Sequence, residues 1–485
     1  MTDRADRPVL FWFRQDLRLA DNPGLLAAAE SGRPLVAAFV LDDETPGRWR
    51  LGGAARWWLH HSLAALDKSL SALGGTLVLR RGRAAEAIAS LVRETGAAAV
   101  YWNRCYEPYA IARDKAIKRT LAENGIARRS FNASLLYEPL TVLNKEGSPF
   151  AIFAAFWRAC LARGAPPAPL PPPRRLVFAP GPASDSLDGW RLAPSQPNWA
   201  GGFATRWIPG ESGAQQRLAN FLDTGARDYA AQRDRLDLNA TSRLSPHLRF
   251  GEIDPRQIWH AILAARAACS WPQQTVDKFL LELGWREFAH ALLYHHPELP
   301  HAPLRTAFAR FSWQVNAKHL AAWQQGLTGY PIVDAAMREL WATGWIHNRA
   351  RMIVASFLVK HLLIPWQEGQ AWFWDTLVDA DLANNATNWQ WIAGCGVDAA
   401  PYFRIFNPVL QGEKFDPQGS YVRRWVPELA GLPDTWIHKP WLASAWMLRN
   451  AGIRLGENYP APIVDHRVAR RRALQAFAHL TPAPI

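Results

Sequence analysis

The chain has 485 residues, of which 49% are hydrophobic and only 20% are charged, and this composition excludes an intrinsically disordered protein. Its 55 Lys and Arg residues outnumber its 42 Asp and Glu residues, which gives a formal net charge of +13. A basic surface of this kind favours a polyanionic partner, and nucleic acid is the leading candidate.

The N-terminal segment MTDRADRPVLFWF lacks the long apolar region and small-residue cleavage site of a secretory signal. No apolar run reaches the roughly 20 residues that span a bilayer. The four cysteines, Cys105, Cys160, Cys269 and Cys395, are far apart and have no histidines at zinc-finger spacing. We therefore expect a cytoplasmic protein with reduced thiols and no metal.

The first third alternates between two hydrophobic periods. Short apolar runs predict strands, and they are PVLFWF, PLVAAFVLD, TLVLRRG and AAAVYWNRC. Helical spacing separates them in NPGLLAAAES, AARWWLHHSLAALDKSLSALGG and AAEAIASLVRETG. This alternation predicts an α/β, Rossmann-like domain with a parallel sheet and helices on both faces. No G-x-G-x-x-G motif follows a strand, which argues against a nicotinamide dinucleotide site.

A Pro-rich stretch follows and divides the chain. Residues 165–210 include GAPPAPLPPPRR and APGPASDS, which cannot form a core of their own and predict a surface connector. Beyond it, apolar residues recur every three or four positions almost to the end of the chain, which predicts an all-α domain. The predicted domains are 1–135 (α/β), 136–210 (connector) and 211–485 (helical).

The segment NNATNWQWIAGCGVDAAPYFRIFNP, residues 384–408, combines Trp389, Gln390 and Trp391 with polar and cationic groups. A buried core would explain the aromatic rings but would leave Asn385 and Arg404 without a role, because buried polar groups need partners. The segment therefore indicates the wall of a pocket for a flat polar ligand. The alternative is a Trp-rich helix pair in the core.

Several long motifs occur in one order: TSRLSPHLRFGEI, ELGWREF, TGYPIVDAAMREL, GWIHNRARM, DADLANN, NWQW, and APYFRIFNP with QGEKFD. Together with FWFRQDLRLADNPGL near the N-terminus, they resemble the photolyase and cryptochrome family, in particular bacterial photolyases for cyclobutane pyrimidine dimers. The resemblance covers the whole chain. It implies an α/β domain for a light-harvesting chromophore and a helical domain that binds FAD.

The resemblance implies a set of FAD-binding residues. Asn385 corresponds to the residue that faces flavin N5, where a neutral amide adds no negative charge beside a reduced flavin. Arg351 and Asp379 are expected to form an ion pair. Ser245 is expected to be the N-cap of a helix beside the pyrophosphate, with Pro246 as the first helical residue. The implied FAD-binding residues are Tyr229, Thr241, Ser242, Arg243, Leu244, Ser245, Arg286, Arg351, Asp379, Asp381 and Asn385.

Three tryptophans fall at the family's positions for an electron-transfer chain. Trp389 is expected nearest the flavin, Trp366 next, and Trp313 outermost. Any one of them alone would be read as core. We expect Trp372 and Trp374 to serve only in packing.

The implied lesion pocket comprises Glu282, Trp285, Asn348, Met352 and Trp391. Asn348 and Met352 are four residues apart and share a helical face. Photolyases for (6-4) lesions have His at both of these positions, as a proton donor, and neither Asn nor Met can replace it. The implied contacts to DNA phosphates are Arg349, Arg404 and Lys414. The cluster Arg467, Arg470, Arg471 and Arg472 has no match and is interpreted as a solvated helix face with at most weak nonspecific binding.

The implied function is light-dependent DNA repair, in which photoexcited reduced FAD transfers an electron to a flipped-out cyclobutane pyrimidine dimer and the electron returns after the ring splits. The resemblance extends nearly to the last residue, so we expect repair rather than signalling. We also expect the protein to be a monomer. One alternative is a cryptochrome-type photoreceptor without repair activity, and another is a basic nucleic-acid-binding protein without flavin.

Two features depart from the family pattern. Tyr109-Ala110 stands where folate-binding members have Asn-Glu, so the antenna is a differently bound folate, a deazaflavin or absent. Ala386, Thr387 and Asn388 replace glycines that are common beside the N5 asparagine, and we expect at most a perturbed flavin potential. An iron–sulfur cluster is not expected, because Cys105 and Cys160 lie outside the helical half.

Overall fold

The computed structural model describes residues 7–480. In this part of the chain, five parallel strands form one sheet in the order β3-β2-β1-β4-β5. The strands are β1 Val9–Phe13, β2 Leu35–Leu41, β3 Leu77–Arg81, β4 Ala99–Asn103 and β5 Ala127–Phe131. The predicted α/β class and its four predicted strands are confirmed.

Burial explains which strands could be predicted. Every residue of β1 and β2 is buried, so both appear in the sequence as unbroken apolar runs. β5, with the sequence ARRSF, lies at the edge of the sheet and is largely exposed. Its polar composition gives no strand signal, and only its pairing with β4, from Ala127 opposite Ala99 onward, makes it a strand.

The Pro-rich connector covers the other edge of the sheet. The amide of Asp185 donates to the Leu79 carbonyl at 3.0 Å, and the amide of Leu79 donates to Ser184 Oγ at 2.9 Å. The ring of Phe178 lies against Gly75, where no side chain would fit. The connector therefore protects the free edge of β3 instead of leaving it open to another chain.

The helices follow the predicted helical spacing closely. In chain order they are α1 Pro23–Glu30, α2 Gly53–Ser71, α3 Ala84–Thr95, α4 Pro108–Glu123, α5 Phe153–Leu161, α6 Glu211–Thr224, α7 Tyr229–Gln232, α8 Ser245–Arg249, α9 Pro255–Cys269 and α10 Gln273–His295. They continue with α11 Ala317–Gln325, α12 Pro331–Thr343, α13 Asn348–Ser356, α14 Trp366–Thr376, α15 Leu382–Ala393, α16 Pro408–Phe415, α17 Ser420–Trp425, α18 Asp434–Ile437, α19 Ala445–Asn450 and α20 His466–Ala478. Among residues 7–480, no helix combines the length and the hydropathy needed to cross a membrane.

Residues 345–363 lie in the predicted all-α domain but do not form one continuous α-helix. α13 begins only at Asn348, because His347 caps it: its Nδ1 accepts a hydrogen bond from the Arg349 amide at 3.0 Å. α13 then passes into a π-helix at Phe357–His361. Such local widening is frequent at functional sites.

The chain divides into two compact units. The first contains the stretch up to Arg227 together with Ser242–Pro297 and Val378–Ala383. A buried ion pair in this unit, Arg18 to Asp254 at 2.9 Å, links its N-terminal and later segments. The second contains Asp228–Thr241, Glu298–Leu377 and the stretch from Asn384 onward. This division differs from the predicted domains 1–135, 136–210 and 211–485, which remain a prediction.

Candidate functional site

Helix α10 in the first unit carries two of the predicted lesion-contacting residues. Glu282 and Trp285 are three residues apart on the same helical face, and both are partly exposed. The ring of Phe153, from α5, stacks on Trp285 with a centroid distance of 3.6 Å and an interplanar angle of 11°. Phe153 therefore fixes one face of the indole. Sequence reasoning missed Phe153, since an aromatic residue in an apolar helix gives no separate signal.

Arg286, a predicted FAD-binding residue, directly follows Trp285 in α10. Its Nη1 donates to the Ser134 carbonyl at 2.7 Å and to Glu287 Oε1 at 3.2 Å. Glu287 is buried and accepts a hydrogen bond from the Tyr137 amide at 3.0 Å. Burial raises the pKa of Glu287 to about 7, although Arg286 opposes the shift. The orientation of Arg286 therefore depends on a buried carboxyl group that the sequence did not reveal.

The two predicted aspartates, Asp379 and Asp381, lie in the turn before α15. In the same unit, His290 Nε2 is 3.6 Å from Asp381 Oδ2. Arg249 Nε donates to the Ala380 carbonyl at 2.6 Å, while Arg249 Nη1 is buried and has no hydrogen-bond partner among the described residues. A buried cationic donor without a partner, next to the loop that carries two aspartates, is consistent with a ligand that carries both acceptor oxygens and hydroxyl groups.

The predicted cap of α8 is wrong. Leu244 already has helical dihedrals, and its carbonyl accepts the first intrahelical hydrogen bond from Leu248 at 2.9 Å. Leu244 is therefore the N-cap, Ser245 the first helical residue and Pro246 the second. The N-cap therefore has no side-chain cap hydrogen bond, because the leucine side chain has no polar atom to supply one. The preceding Arg243 has φ 51°, an unusual conformation for a residue other than glycine.

In the second unit, Asn385 is buried and its side chain is anchored. Its Nδ2 donates to the Gln370 carbonyl of α14 at 3.0 Å. This bond orients the amide, because the nitrogen faces α14 and the oxygen is then available as a neutral acceptor. The role that the resemblance implies for Asn385 requires such an acceptor.

The predicted tryptophan relay lies in the second unit and shows a gradient of burial. Trp389 and Trp366 are 2% and 1% exposed, whereas Trp313 is partly exposed. The Trp389 indole contacts Phe373 at 5.1 Å and Trp323 at 6.3 Å between ring centroids. A partly exposed outer residue and buried inner residues are the order that the prediction requires.

The neighbours of these tryptophans differ in environment. Trp374 is buried, in agreement with a packing role, whereas Trp372 stacks at 6.1 Å on Trp341, which is 52% exposed. Gln390 is buried, donates to the Leu299 carbonyl at 2.8 Å and accepts from the Leu304 amide at 2.9 Å. The side-chain amide of Gln390 therefore binds α15 to the loop that contains Leu299 and Leu304.

Asn348, Met352 and Trp391 complete the predicted lesion-contacting residues. Asn348 is exposed, and Met352 and Trp391 are partly exposed. By contrast, Trp389 and Gln390 of the NWQW motif are buried. Residues that are meant to touch a large ligand need access to solvent, and a core role for Met352 is not supported by its partial exposure.

Arg349, a predicted DNA contact, is held within the second unit. Its Nη2 donates to Asp234 Oδ2 at 2.8 Å, and its guanidinium lies 4.4 Å from the ring centroid of Phe415. Lys414 lies 5.3 Å from the same ring and is exposed. Arg404 is also exposed. Phe415 therefore brings two of the three predicted phosphate contacts together.

The remaining predicted FAD residues have local partners. Tyr229 is buried in α7, and Arg233 lies over its ring at 5.2 Å. Arg351 Nε donates to the Ile346 carbonyl at 2.9 Å. Thr241 belongs to the second unit, and Ser242 begins a segment of the first. The predicted ion pair of Arg351 with Asp379 stays a prediction.

The described residues contain no group of three or more His, Cys, Asp or Glu side chains arranged to bind a metal ion. Cys105, Cys160 and Cys395 are buried free thiols, and Cys269 is exposed.

Comparisons with known proteins cover nearly the whole chain. Residues 9–174 match the family described as DNA photolyase, and residues 279–479 match the FAD binding domain of DNA photolyase. The deoxyribodipyrimidine photo-lyase of Agrobacterium fabrum is 50% identical over 473 residues, covering 97% of this chain and 98% of that protein. Cryptochrome-1 of Arabidopsis thaliana is 43% identical over 97% of this chain and 70% of its own length. The crystal structure of a bacterial class III photolyase from Agrobacterium tumefaciens superposes with a TM-score of 0.95 at 49% identity, covering 99% of this chain and 98% of that one.

Proposed function

This chain belongs to the DNA photolyase family, and from that membership we propose that it is a deoxyribodipyrimidine photo-lyase that repairs cyclobutane pyrimidine dimers in DNA under blue light. The observation that carries the proposal is the buried Asn385, whose amide nitrogen is held by the Gln370 carbonyl at 3.0 Å. This bond leaves the amide oxygen as a neutral acceptor, which supports the proposed role of Asn385 beside flavin N5. The 50% identity to a photo-lyase over nearly the full chain supports the same reading.

The FAD binding domain matched at residues 279–479 identifies the cofactor. Bound FAD, in its reduced form, supplies on excitation the electron that the repair reaction needs. On the first unit, we assign its binding to Ser242, Arg243, Leu244, Ser245, Arg286, Asp379 and Asp381. On the second unit, we assign it to Tyr229, Thr241, Arg351 and Asn385. The partnerless Nη1 of Arg249, beside the loop that carries Asp379 and Asp381, supports the assignment on the first unit.

The tryptophans would keep the cofactor reduced. Trp389, Trp366 and Trp313 form a relay whose inner residues are buried and whose outer residue is partly exposed. Burial excludes water and holds the inner indoles rigidly, and access to solvent lets Trp313 exchange an electron with a donor. Phe373 and Trp323 fix the Trp389 ring from two sides.

The proposed lesion specificity follows from aromatic and polar side chains that are at least partly exposed. Trp285 and Trp391 offer indole faces to flipped-out bases, and Glu282 offers a carboxyl group for a hydrogen bond to the base edge. Asn348 and Met352 cannot act as proton donors. We therefore propose repair of cyclobutane dimers and not of (6-4) products. Arg349, Arg404 and Lys414 would bind the flanking phosphates without reading sequence.

We further propose that the protein acts in the cytoplasm as a monomer and that a second, light-harvesting chromophore, if bound, is a folate or a deazaflavin.

A cryptochrome-type photoreceptor is the second candidate. The 43% identity to Cryptochrome-1 of Arabidopsis thaliana favours it, and a photoreceptor would use the same flavin and relay. Repair turnover separates the two functions.

The test uses the purified protein and two oligonucleotides, one with a cyclobutane thymine dimer and one with a (6-4) product, each under blue light and in the dark. We expect light-dependent loss of the cyclobutane dimer alone. Repair of neither lesion by a protein with reducible bound flavin would exclude the enzyme function and favour the photoreceptor. A colourless protein without flavin would exclude both and favour a simple nucleic-acid-binding protein.

A further inference from the structure

Three arginines of α20 form an exposed basic face that the proposed reaction does not use. Arg467, Arg470 and Arg471 are separated by three and four residues along the helix, so they share one side of it. All three are exposed. In the part of the chain that the structure describes, none of them forms an ion pair with an acidic side chain. They line a surface depression of about 560 Å³, which we call the arginine face.

The opposite side of α20 is fixed to the second unit. Ala469 and Ala473 are fully buried. Arg472 Nη2 donates to the His361 carbonyl at 2.5 Å, which ties the helix to the π-helix. A helix held on one side in this way presents its exposed arginines in a defined position, so the arginine face differs from a mobile charged tail.

An unbroken series of ring contacts leads from α20 to Trp313. Phe477, near the end of α20, stacks on Tyr402 with a centroid distance of 4.7 Å and an interplanar angle of 9°. Tyr402 lies 5.4 Å from Phe311, and Phe311 lies 4.4 Å from Trp313. Arg470 precedes Phe477 by seven residues, or about 10 Å along the helix axis. The helix that carries the arginine face therefore packs, through Phe477, against the ring cluster that contains Trp313.

We propose that Arg467, Arg470 and Arg471 form a docking face for a small, negatively charged one-electron donor that re-reduces Trp313. The inference rests on the relay of the proposed function. In this step the donor loses one electron and the Trp313 radical cation gains it, which restores the neutral indole. No bond forms between them. With ascorbate monoanion as the donor, the proton that it releases goes to water.

The geometry favours a compact anion over a nucleic-acid backbone. The Cα atoms of the three arginines lie within about one helical turn, a rise of roughly 6 Å along the helix axis. A surface that follows a DNA strand instead repeats its cations along the strand. Electrostatic attraction of this kind raises association rates about tenfold or more and is lost at high salt.

The experiment is flash photolysis of the FAD-bound protein, with the decay of the Trp radical followed at increasing donor concentration. Ascorbate is the anionic donor and hydroquinone the neutral one. In the triple variant R467Q/R470Q/R471Q, we expect the bimolecular rate constant for ascorbate to fall about threefold to tenfold at low salt. The constant for hydroquinone should not change. At an ionic strength of about 1 M, the difference between wild type and variant should disappear.

The matched control is R119Q/R174Q/R175Q, which removes the same charge from exposed positions of the first unit. If the ascorbate rate constant falls equally in both variants, the effect is one of net charge alone, and the proposal is overturned. An unchanged ascorbate constant in the α20 variant would overturn it as well. If that variant loses affinity for undamaged duplex DNA while keeping the ascorbate constant, the arginine face is a DNA contact instead.

Failure of this inference and failure of the proposed function are distinguishable. A protein that repairs the cyclobutane dimer but forms no radical on Trp313, judged against Trp313→Phe, overturns the docking inference alone. A protein that forms the radical and responds to the α20 variant, yet repairs no lesion, contradicts the repair function alone.

Discussion

Gly369 of α14 lies directly against the indole of Trp389. A Cβ at position 369 would be 2.5 Å from Cζ2 of that ring and closer still to Cη2. Real carbon contacts do not reach such distances, so the glycine sets how closely α14 approaches the innermost relay tryptophan. The absence of a side chain at Gly369 therefore allows the Trp389 ring to occupy its position against α14.

Gly369→Ala should displace Trp389 and slow flavin photoreduction. Overpacking of this kind costs typically about 1–3 kcal/mol, and the better helix propensity of Ala offsets about 1 kcal/mol of it. The measurements are the initial rate of photoreduction with an added reductant and the melting temperature. Glu368→Ala, at an exposed position of the same helix, is the control and should change neither. A normal photoreduction rate in Gly369→Ala would contradict a role for Trp389.

Asn385→Asp should abolish most repair. The carboxylate would place an oxygen against the Gln370 carbonyl, where the amide now donates at 3.0 Å, and would add a negative charge to a buried position. We expect loss of reduced flavin in air. We also expect the repair rate to fall at least tenfold, which corresponds to a rise of about 1.4 kcal/mol in the activation free energy. Asn388 also donates to a backbone carbonyl, that of Asn384, at 2.8 Å but is exposed. Asn388→Asp should therefore retain repair.

Arg349→Gln should weaken binding of lesion-containing DNA. If Arg349 contacts one phosphate, the slope of log K against log salt should fall by about one unit. Arg235 is the matched control, because it is likewise paired with an aspartate, Asp237, at 2.5 Å and has no predicted DNA contact. Arg235→Gln should leave the slope unchanged. Equal slopes for wild type and Arg349→Gln would show that Arg349 serves only its ion pair with Asp234.

Glu287→Gln should change how stability depends on pH. Burial raises the pKa of Glu287 from 4.5 to about 7, so the folded state binds more protons than the unfolded state between these values. The contribution of Glu287 is therefore greatest below pH 4.5 and is lost as the pH rises to 7. Relative to Glu287→Gln, the wild type should lose on the order of 2–3 kcal/mol over this range. The measurement is the melting temperature of both proteins from pH 5 to 8. Parallel pH profiles would contradict a protonated Glu287.

The sequence by itself determined most of the secondary structure and the family. Hydrophobic periodicity is local, so buried strands such as Val9–Phe13 and amphipathic helices such as Pro331–Thr343 are visible in consecutive residues. The motifs likewise named the candidate residues, through their resemblance to the family. Strand Ala127–Phe131 was not predicted, because its residues are mostly polar. The N-cap was wrongly assigned to Ser245, because the cap position depends on the backbone dihedrals of a single residue.

Only the tertiary structure decided how the candidate side chains are held. Asp234 meets Arg349 across 115 positions of sequence, and Phe153 stacks on Trp285 from another helix. Neither partner is marked by any local pattern, because an ion pair or a ring contact between distant residues arises from packing and leaves no periodicity. The same holds for the anchor of Asn385 on the Gln370 carbonyl, since every residue carries such a backbone group and only the packing of two helices selects one.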